Sequence, residues 1–406
     1  MRSISFFFLN FKLHLLVLFL ILNLYETRMD DSRQILAKKY EKIKITVSIS
    51  EGMVSFLLLI LFVALGYSKE LEKFSFGYTS NPYFALLIFG IVLALGGSIL
   101  SLPVDYIFGF RLEHKFGLSN QALTGWITDK FKAMLVGAVI GAPIGFLFYY
   151  LLSSYALWWL YLACIVWVYS ILLAQIAPVL IFPIFYKFKP IENDVLKERI
   201  IRLCEKAGFK IKGVYTFDMS KNTKKANAAF TGLGRSRRII LGDTLISGFS
   251  EDEIETVFAH ELGHYKLGHI KNNILFSVFG TLIGLFVMAQ IYSLLLHSFG
   301  FTYRWEIGAI PLLAIIASVW SLLTMPIGAA LSRKFEYEAD RFAIDTTGNF
   351  DAFKSTMEKL AFQNLSNTEP NRLVEFWSHS HPPVAKRIAR AEEYSNKKSN
   401  QNITNS

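Results

Sequence analysis

Charge is scarce in this chain of 406 residues: Asp, Glu, Lys and Arg together make up 18%. A soluble domain carries about a quarter, so the shortage excludes a water-soluble globule and a disordered chain alike. Cysteine is scarcer still. Of the two, Cys164 lies in an apolar run and Cys204 in a charged segment, which excludes a disulfide framework. What abounds is apolar: 53% hydrophobic residues, 36 Phe, 18 Tyr and a mean hydropathy of +0.38. Such a surplus needs a bilayer as solvent. The net charge of +10 then reads as basic loops beside an anionic membrane face, with no nucleic-acid partner.

A spanning helix takes about 20 mostly apolar residues. Seven stretches qualify, near 5–25, 45–67, 83–107, 133–153, 157–183, 274–297 and 307–331. The first reads as an uncleaved anchor, with a signal peptide as the alternative: its apolar run is long, and Tyr25-Glu-Thr-Arg28 offers no small-residue cleavage site. Alternate loops are the basic ones. Segment 26–46 holds Arg28, Arg33, Lys38, Lys39, Lys42 and Lys44, whereas 69–82 balances Lys69 and Lys73 against Glu70 and Glu72. The positive-inside rule therefore puts the N-terminus outside and both 187–271 and 332–406 in the cytoplasm. The expected fold class is mainly α: a polytopic membrane protein of about seven transmembrane helices with a small α/β part. Its divisions are 1–186 with five spans, an α/β insert over 187–271, a hairpin of spans over 272–331, a helical part over 332–396 and a disordered tail over 397–406. Within the insert, a helix near 193–208 precedes strands near 213–217, 227–231 and 238–242, with a hairpin turn over Thr231-Gly-Leu-Gly-Arg235. Further helices are expected over 332–363 and 384–396.

The chemistry starts at Ser250-Glu-Asp-Glu253, a capping box with an acidic first turn. The helix it opens contains His260-Glu261-Leu-Gly-His264. Histidines four apart share a helix face, so their imidazoles can converge on one Zn²⁺, and Glu261 points beside the metal where it can hold a water. Zinc needs a third protein ligand, and a catalytic site leaves the fourth position open. Because two spans separate the polar segments, both emerge on one face, and the ligand is sought just after the last span. Glu336 and Asp340 lie there, four apart on one helix face, while Glu338 points elsewhere. One carboxylate can ligate while the other orients a ligand. His269, about 140° round a continuous helix from His264, is poorly placed as a ligand and reads as a polar residue near the membrane surface. His381, in a proline-fixed turn, can face the site as a donor to a tetrahedral oxyanion.

In combination these motifs resemble the type I CAAX prenyl proteases, integral-membrane zinc endopeptidases of the gluzincin class. The matching pieces are Arg111-Leu-Glu-His-Lys-Phe-Gly-Leu-Ser119, Ile176-Ala-Pro-Val-Leu-Ile-Phe-Pro-Ile-Phe185, Asn227-Ala228, His260-Glu-Leu-Gly-His264, Phe335-Glu-Tyr-Glu-Ala-Asp340 and His381-Pro-Pro-Val-Ala-Lys-Arg387, spanning about residues 45–390. The resemblance implies seven helices around a water-filled intramembrane chamber, capped by the zinc site. It implies His260, His264 and Glu336 as ligands of one zinc per chain, Glu261 as the catalytic carboxylate, and Asp340 as a residue behind the ligands that orients them by hydrogen bond. His381 and Arg387 would line the site, and Asn227 and Ala228 would meet substrate backbone. The expected reaction is peptide hydrolysis on membrane-associated substrates, such as removal of a C-terminal tripeptide from prenylated proteins. The expected particle is a monomer in the bilayer: the inner membrane of a bacterium, or the endoplasmic reticulum of a eukaryote. A heat-shock-type membrane metalloprotease is the nearest alternative, with fewer spans. A transporter or receptor with a structural zinc would instead require a closed four-ligand site.

Overall fold

In the computed structural model, residues 32–209, 211, 213–231 and 238–404 are described. The expected span near 5–25 and the hairpin turn over 232–235 lie outside them. Six helices in the described residues are long and apolar enough to cross a membrane. They are Arg33–Ala64, Pro82–Val104, Leu123–Ser154, Trp158–Ile176, His269–Leu295 and Ile310–Thr347, matching the other six expected stretches. Their outer faces carry exposed large apolar side chains such as Val139, Phe279, Leu294 and Leu323, a surface suited to lipid and not to water.

Proline shapes two of the spans. Pro103 lies at the end of the Pro82–Val104 helix, and a π-helical turn over Asp105–Arg111 follows. A second π-helical turn, Ala177–Ile181, contains Pro178 and precedes a short α-turn over Phe182–Phe185. A missing proline N–H breaks the regular ladder, and the wider turn re-forms it. The motif 111–119 begins at the last residue of the first of these turns, and the motif 176–185 contains the second. At the opposite end of the bundle, a buried cluster includes Leu152, Trp158, Tyr292, Phe301 and Leu312. Arg304 Nε donates to the Leu152 carbonyl at 2.8 Å, and the Ile307 N–H donates to Glu72 at 2.8 Å.

The extramembrane part is a four-stranded sheet with helices against it. Strands β1 (Phe188–Pro190), β2 (Val214–Phe217), β3 (Ala228–Thr231) and β4 (Arg238–Gly242) lie in the order β1-β2-β4-β3. The outer pairs are antiparallel and β2–β4 is parallel, which leaves β3 as an edge. Strand β1 was not expected, because three residues are too few to display a period of two. The helix Asp194–Lys206 is capped by Asn193 and buries Leu196, Ile200, Leu203 and Cys204. Those residues share a core with Ile239 and Leu241 of β4 and with Ile254, Phe258 and Leu262 of the histidine-bearing helix.

Three helices depart from the sequence reading. The Arg33–Ala64 helix starts well before its apolar stretch, and its polar end rests on the C-terminal extramembrane part through Gln34 to Thr368 at 2.8 Å and Arg33 to the Phe362 carbonyl at 3.0 Å. The expected helix over 332–363 is broken at Gly348, whose φ is 67°, and restarts at Phe350 under an Asn349 cap. The tail expected to be disordered from Lys397 is helical through Thr404. An i,i+4 pair between Glu393 and Lys397 and the Lys398–Asp345 ion pair at 2.6 Å support that extension.

Candidate metal centre

The helix Glu251–Lys266 is fixed at its start by a reciprocal capping box between Ser250 and Glu253. Glu253 also accepts from Lys359 at 2.8 Å and Ser355 at 2.6 Å. Burial works to raise the Glu253 pKa, but these donors hold it below the usual carboxylate range. The start of the helix is thereby tied to Phe350–Gln363. About two turns after Glu253, the i,i+4 spacing sets the rings of His260 and His264 with their centroids 4.8 Å apart and their Nε2 atoms at 3.2 Å.

The third group comes from the helix Ile310–Thr347. At 38 residues and 1.5 Å per residue it is about 57 Å long, against a hydrocarbon core of about 30 Å. Its far end therefore projects past the membrane and packs on the histidine helix. Gly263 permits the approach, since a Cβ there would meet Phe342 Cβ at 3.1 Å and Ala339 Cα at 3.2 Å. Glu336 then places Oε1 3.3 Å from His264 Nε2 and Oε2 3.4 Å from His260 Nε2.

These spacings fit a metal. With ligand bonds of about 2.0–2.1 Å, the edge of a tetrahedron is about 3.3 Å. One ligand atom from each of His260, His264 and Glu336 can be chosen so that all lie within 4.8 Å of one another. Glu336 is buried, and its Oε2 meets no donor at a hydrogen-bonding angle, although three nitrogens surround it. A buried carboxylate oxygen without such a bond costs about 1–3 kcal/mol or more, and a cation at this point removes that cost. His260 Nδ1 lies 2.9 Å from Asp340, so its Nε2 edge faces the cluster. Asp340 accepts a two-pronged contact from Arg387, at 2.8 Å from Nε and 2.5 Å from Nη2. Burial would lower the Arg387 pKa, but Asp340 and Glu336 hold it raised.

The other expected residues divide between the centre and its surroundings. Glu261 is half-buried, and its charge is felt by Arg387. His381 is 65% exposed and places Nδ1 2.8 Å from Glu336 Oε2, so it lines the centre on its open side. Arg387 is buried beside His260, with Nε and Nη2 on Asp340 and Nη1 3.3 Å from Glu336 Oε2. Asn227 and Ala228 stand at the start of β3, which lies against the histidine helix. The Asn227 carbonyl is taken by the Gly242 N–H at 2.9 Å, and Asn364 receives the Ala226 N–H at 2.8 Å.

His269 corrects the sequence reading. It is buried inside the protein, with its ring stacked on Phe335 at 4.2 Å. Its Nδ1 lies 3.0 Å from His264 Nδ1, and its Nε2 lies 2.9 Å from Glu338. The expectation assumed one continuous helix. In fact the chain turns at Gly268, with φ of 74°, and a new helix begins at His269. The glycine was the available signal.

The chain is similar to known proteins along most of its length. Residues 190–395 match peptidase family M48. Residues 23–187 match the CAAX prenyl protease N-terminal region of five membrane helices. CAAX prenyl protease 1 of Saccharomyces cerevisiae is 32% identical over 338 residues, covering 78% of this chain and 74% of the yeast protein. The uncharacterized metalloprotease YhfN of Bacillus subtilis is 29% identical over 91% of this chain and 87% of its own length. The crystal structure of S. mikatae Ste24p superposes with a TM-score of 0.80 at 28% identity, covering 95% of this chain and 97% of that one.

Proposed function

The chain belongs to peptidase family M48, in its CAAX prenyl protease branch, and from that premise we propose how this multi-pass membrane metalloendopeptidase works. The observation that carries the reading is the cluster of ligand atoms from His260, His264 and Glu336, all within 4.8 Å of one another, with Glu261 directly following His260 on its helix. His260, His264 and Glu336 would hold one zinc ion, which when bound lowers the pKa of a water to about 7 and polarises a carbonyl. Glu261 takes the proton from the attacking water and delivers it to the leaving amine. His381, exposed at the centre, donates to the oxyanion as it develops. Arg387 acts at one remove, holding Asp340 and Glu336 so that His260 keeps its orientation. The free edge of β3, beginning at Asn227 and Ala228, takes an extended substrate as an added strand, with register set by main-chain hydrogen bonds.

The substrate in this reading is the C-terminal tail of a prenylated protein, with the bond after the modified cysteine cleaved and a tripeptide released. The enzyme is read as a monomer with its centre on the cytoplasmic side, in the endoplasmic reticulum of a eukaryote or the inner membrane of a bacterium. Two experiments test the proposal. Glu261→Gln is expected to retain zinc while losing at least a thousandfold in hydrolysis, read by metal analysis beside a peptide assay; near-normal turnover would remove Glu261 from the mechanism. Purified enzyme given farnesylated and non-farnesylated versions of one peptide should prefer the lipidated form. Equal rates would refute the substrate assignment and leave the protease reading standing.

A further inference from the structure

We infer that His269 and Glu338 are positioning residues that set the tautomer and ring orientation of His264. The inference rests on reading His264 as a metal ligand. An imidazole that offers Nε2 to a metal must carry its proton on Nδ1, and that proton needs an acceptor. His260 meets this need directly, with Asp340 at 2.9 Å. Among the described residues no carboxylate takes that place for His264: its Nδ1 faces another imidazole nitrogen, His269 Nδ1, at 3.0 Å. Two like nitrogens form a hydrogen bond only when one is protonated and the other bare. The direction is decided further along, where Glu338 Oε2 lies 2.9 Å from His269 Nε2. A carboxylate accepts, so Nε2 of His269 carries the proton and its Nδ1 is left bare to accept from His264. The three residues form a line, Glu338 to His269 to His264, that ends with an Nε2 lone pair on the metal side.

Geometry separates this role from two others. His269 does not act as a fourth ligand, because it meets His264 on the ring edge opposite the Nε2 that faces His260 and Glu336. Nor does it serve only as packing. A phenyl ring would stack on Phe335 equally well, whereas this ring uses both nitrogens. Glu338, 42% exposed and 3.8 Å from Lys334, is held on the same line from the solvent side.

The test uses the full-length protein in detergent, stripped of metal and titrated with zinc against a chromophoric chelator at one pH. His269→Phe preserves the stack and removes both nitrogens, and it should weaken zinc binding about 10- to 100-fold. The unfolding temperature of the metal-free protein should stay near that of wild type. Cobalt substituted for zinc should show altered visible bands in this variant. Glu338→Ala, at a half-exposed position that tolerates change, should weaken zinc in the same direction, and Glu338→Gln, which keeps an acceptor oxygen, should recover part of the loss. Wild-type zinc affinity in both His269→Phe and Glu338→Ala overturns the inference. Failure of the underlying reading looks different: wild type that takes up no zinc, or His264→Ala that binds it normally, overturns the ligand assignment itself.

Discussion

At the scale of single residues, the centre is a competition between protons and metal. Burial would lower the His260 pKa, but the hydrogen bonds to Asp340 and Glu336 outweigh it and push it up to about 9 in the metal-free site. A raised folded-state value stabilises the metal-free protein below the ordinary histidine value of about 6.5. That contribution is lost as pH rises through about 9. Metal must displace the same proton, so zinc affinity is expected to rise about tenfold per pH unit between pH 7 and 9 and then level off. A chelator competition series across that range checks it; a flat profile would mean that His260 holds no proton there. The cluster of His260, His264 and Glu336 was legible in the sequence because i,i+4 spacing and the count of spans bring three groups to one place. His269 and Glu338 were not. A single left-handed residue, Gly268, redirects the chain, and a two-residue offset along a helix looks like a change of face until the partner helix is known.

At the scale of elements, two glycines do different work. Gly263 sets how closely the histidine helix meets the helix that carries Glu336. Alanine there is expected to separate them by a few tenths of an ångström and to weaken metal binding more than it lowers the unfolding temperature. Gly268 has open space around it but sits at positive φ. Gly268→Ala should cost about 1–2 kcal/mol in stability, and Gly268→Asn should cost less because asparagine tolerates that conformation. Thermal unfolding and zinc titration of the three variants separate the effects; identical profiles for the two alanine variants would contradict this division. Spans, capping box and three strands could be read from periodicity and capping signals. Strand β1, the π-helical turns and the helical tail could not be, since each depends on partners distant in sequence or on one proline.

At the scale of the whole molecule, the proposed topology puts both polar segments on one side of the bilayer. Single cysteines at Ser247 and Ser399, both exposed, should resist a membrane-impermeant thiol reagent applied outside intact cells, while one at Ser80, exposed at the far end of the bundle, should react. Cys164 and Cys204 are first replaced by alanine. Opposite labelling of 247 and 399 would put the bilayer between the histidines and Glu336 and refute the centre. The arrangement has a consequence for the enzyme's history. The two histidines precede a membrane hairpin and the acid follows it on the same rod that crosses the lipid. No single cut in the chain frees a fragment holding the whole centre without both of those spans. Such a protein cannot be shed into solution as a working protease, nor can its centre be grafted onto another anchor as a module. Any change of clientele must come by reshaping the one indivisible body.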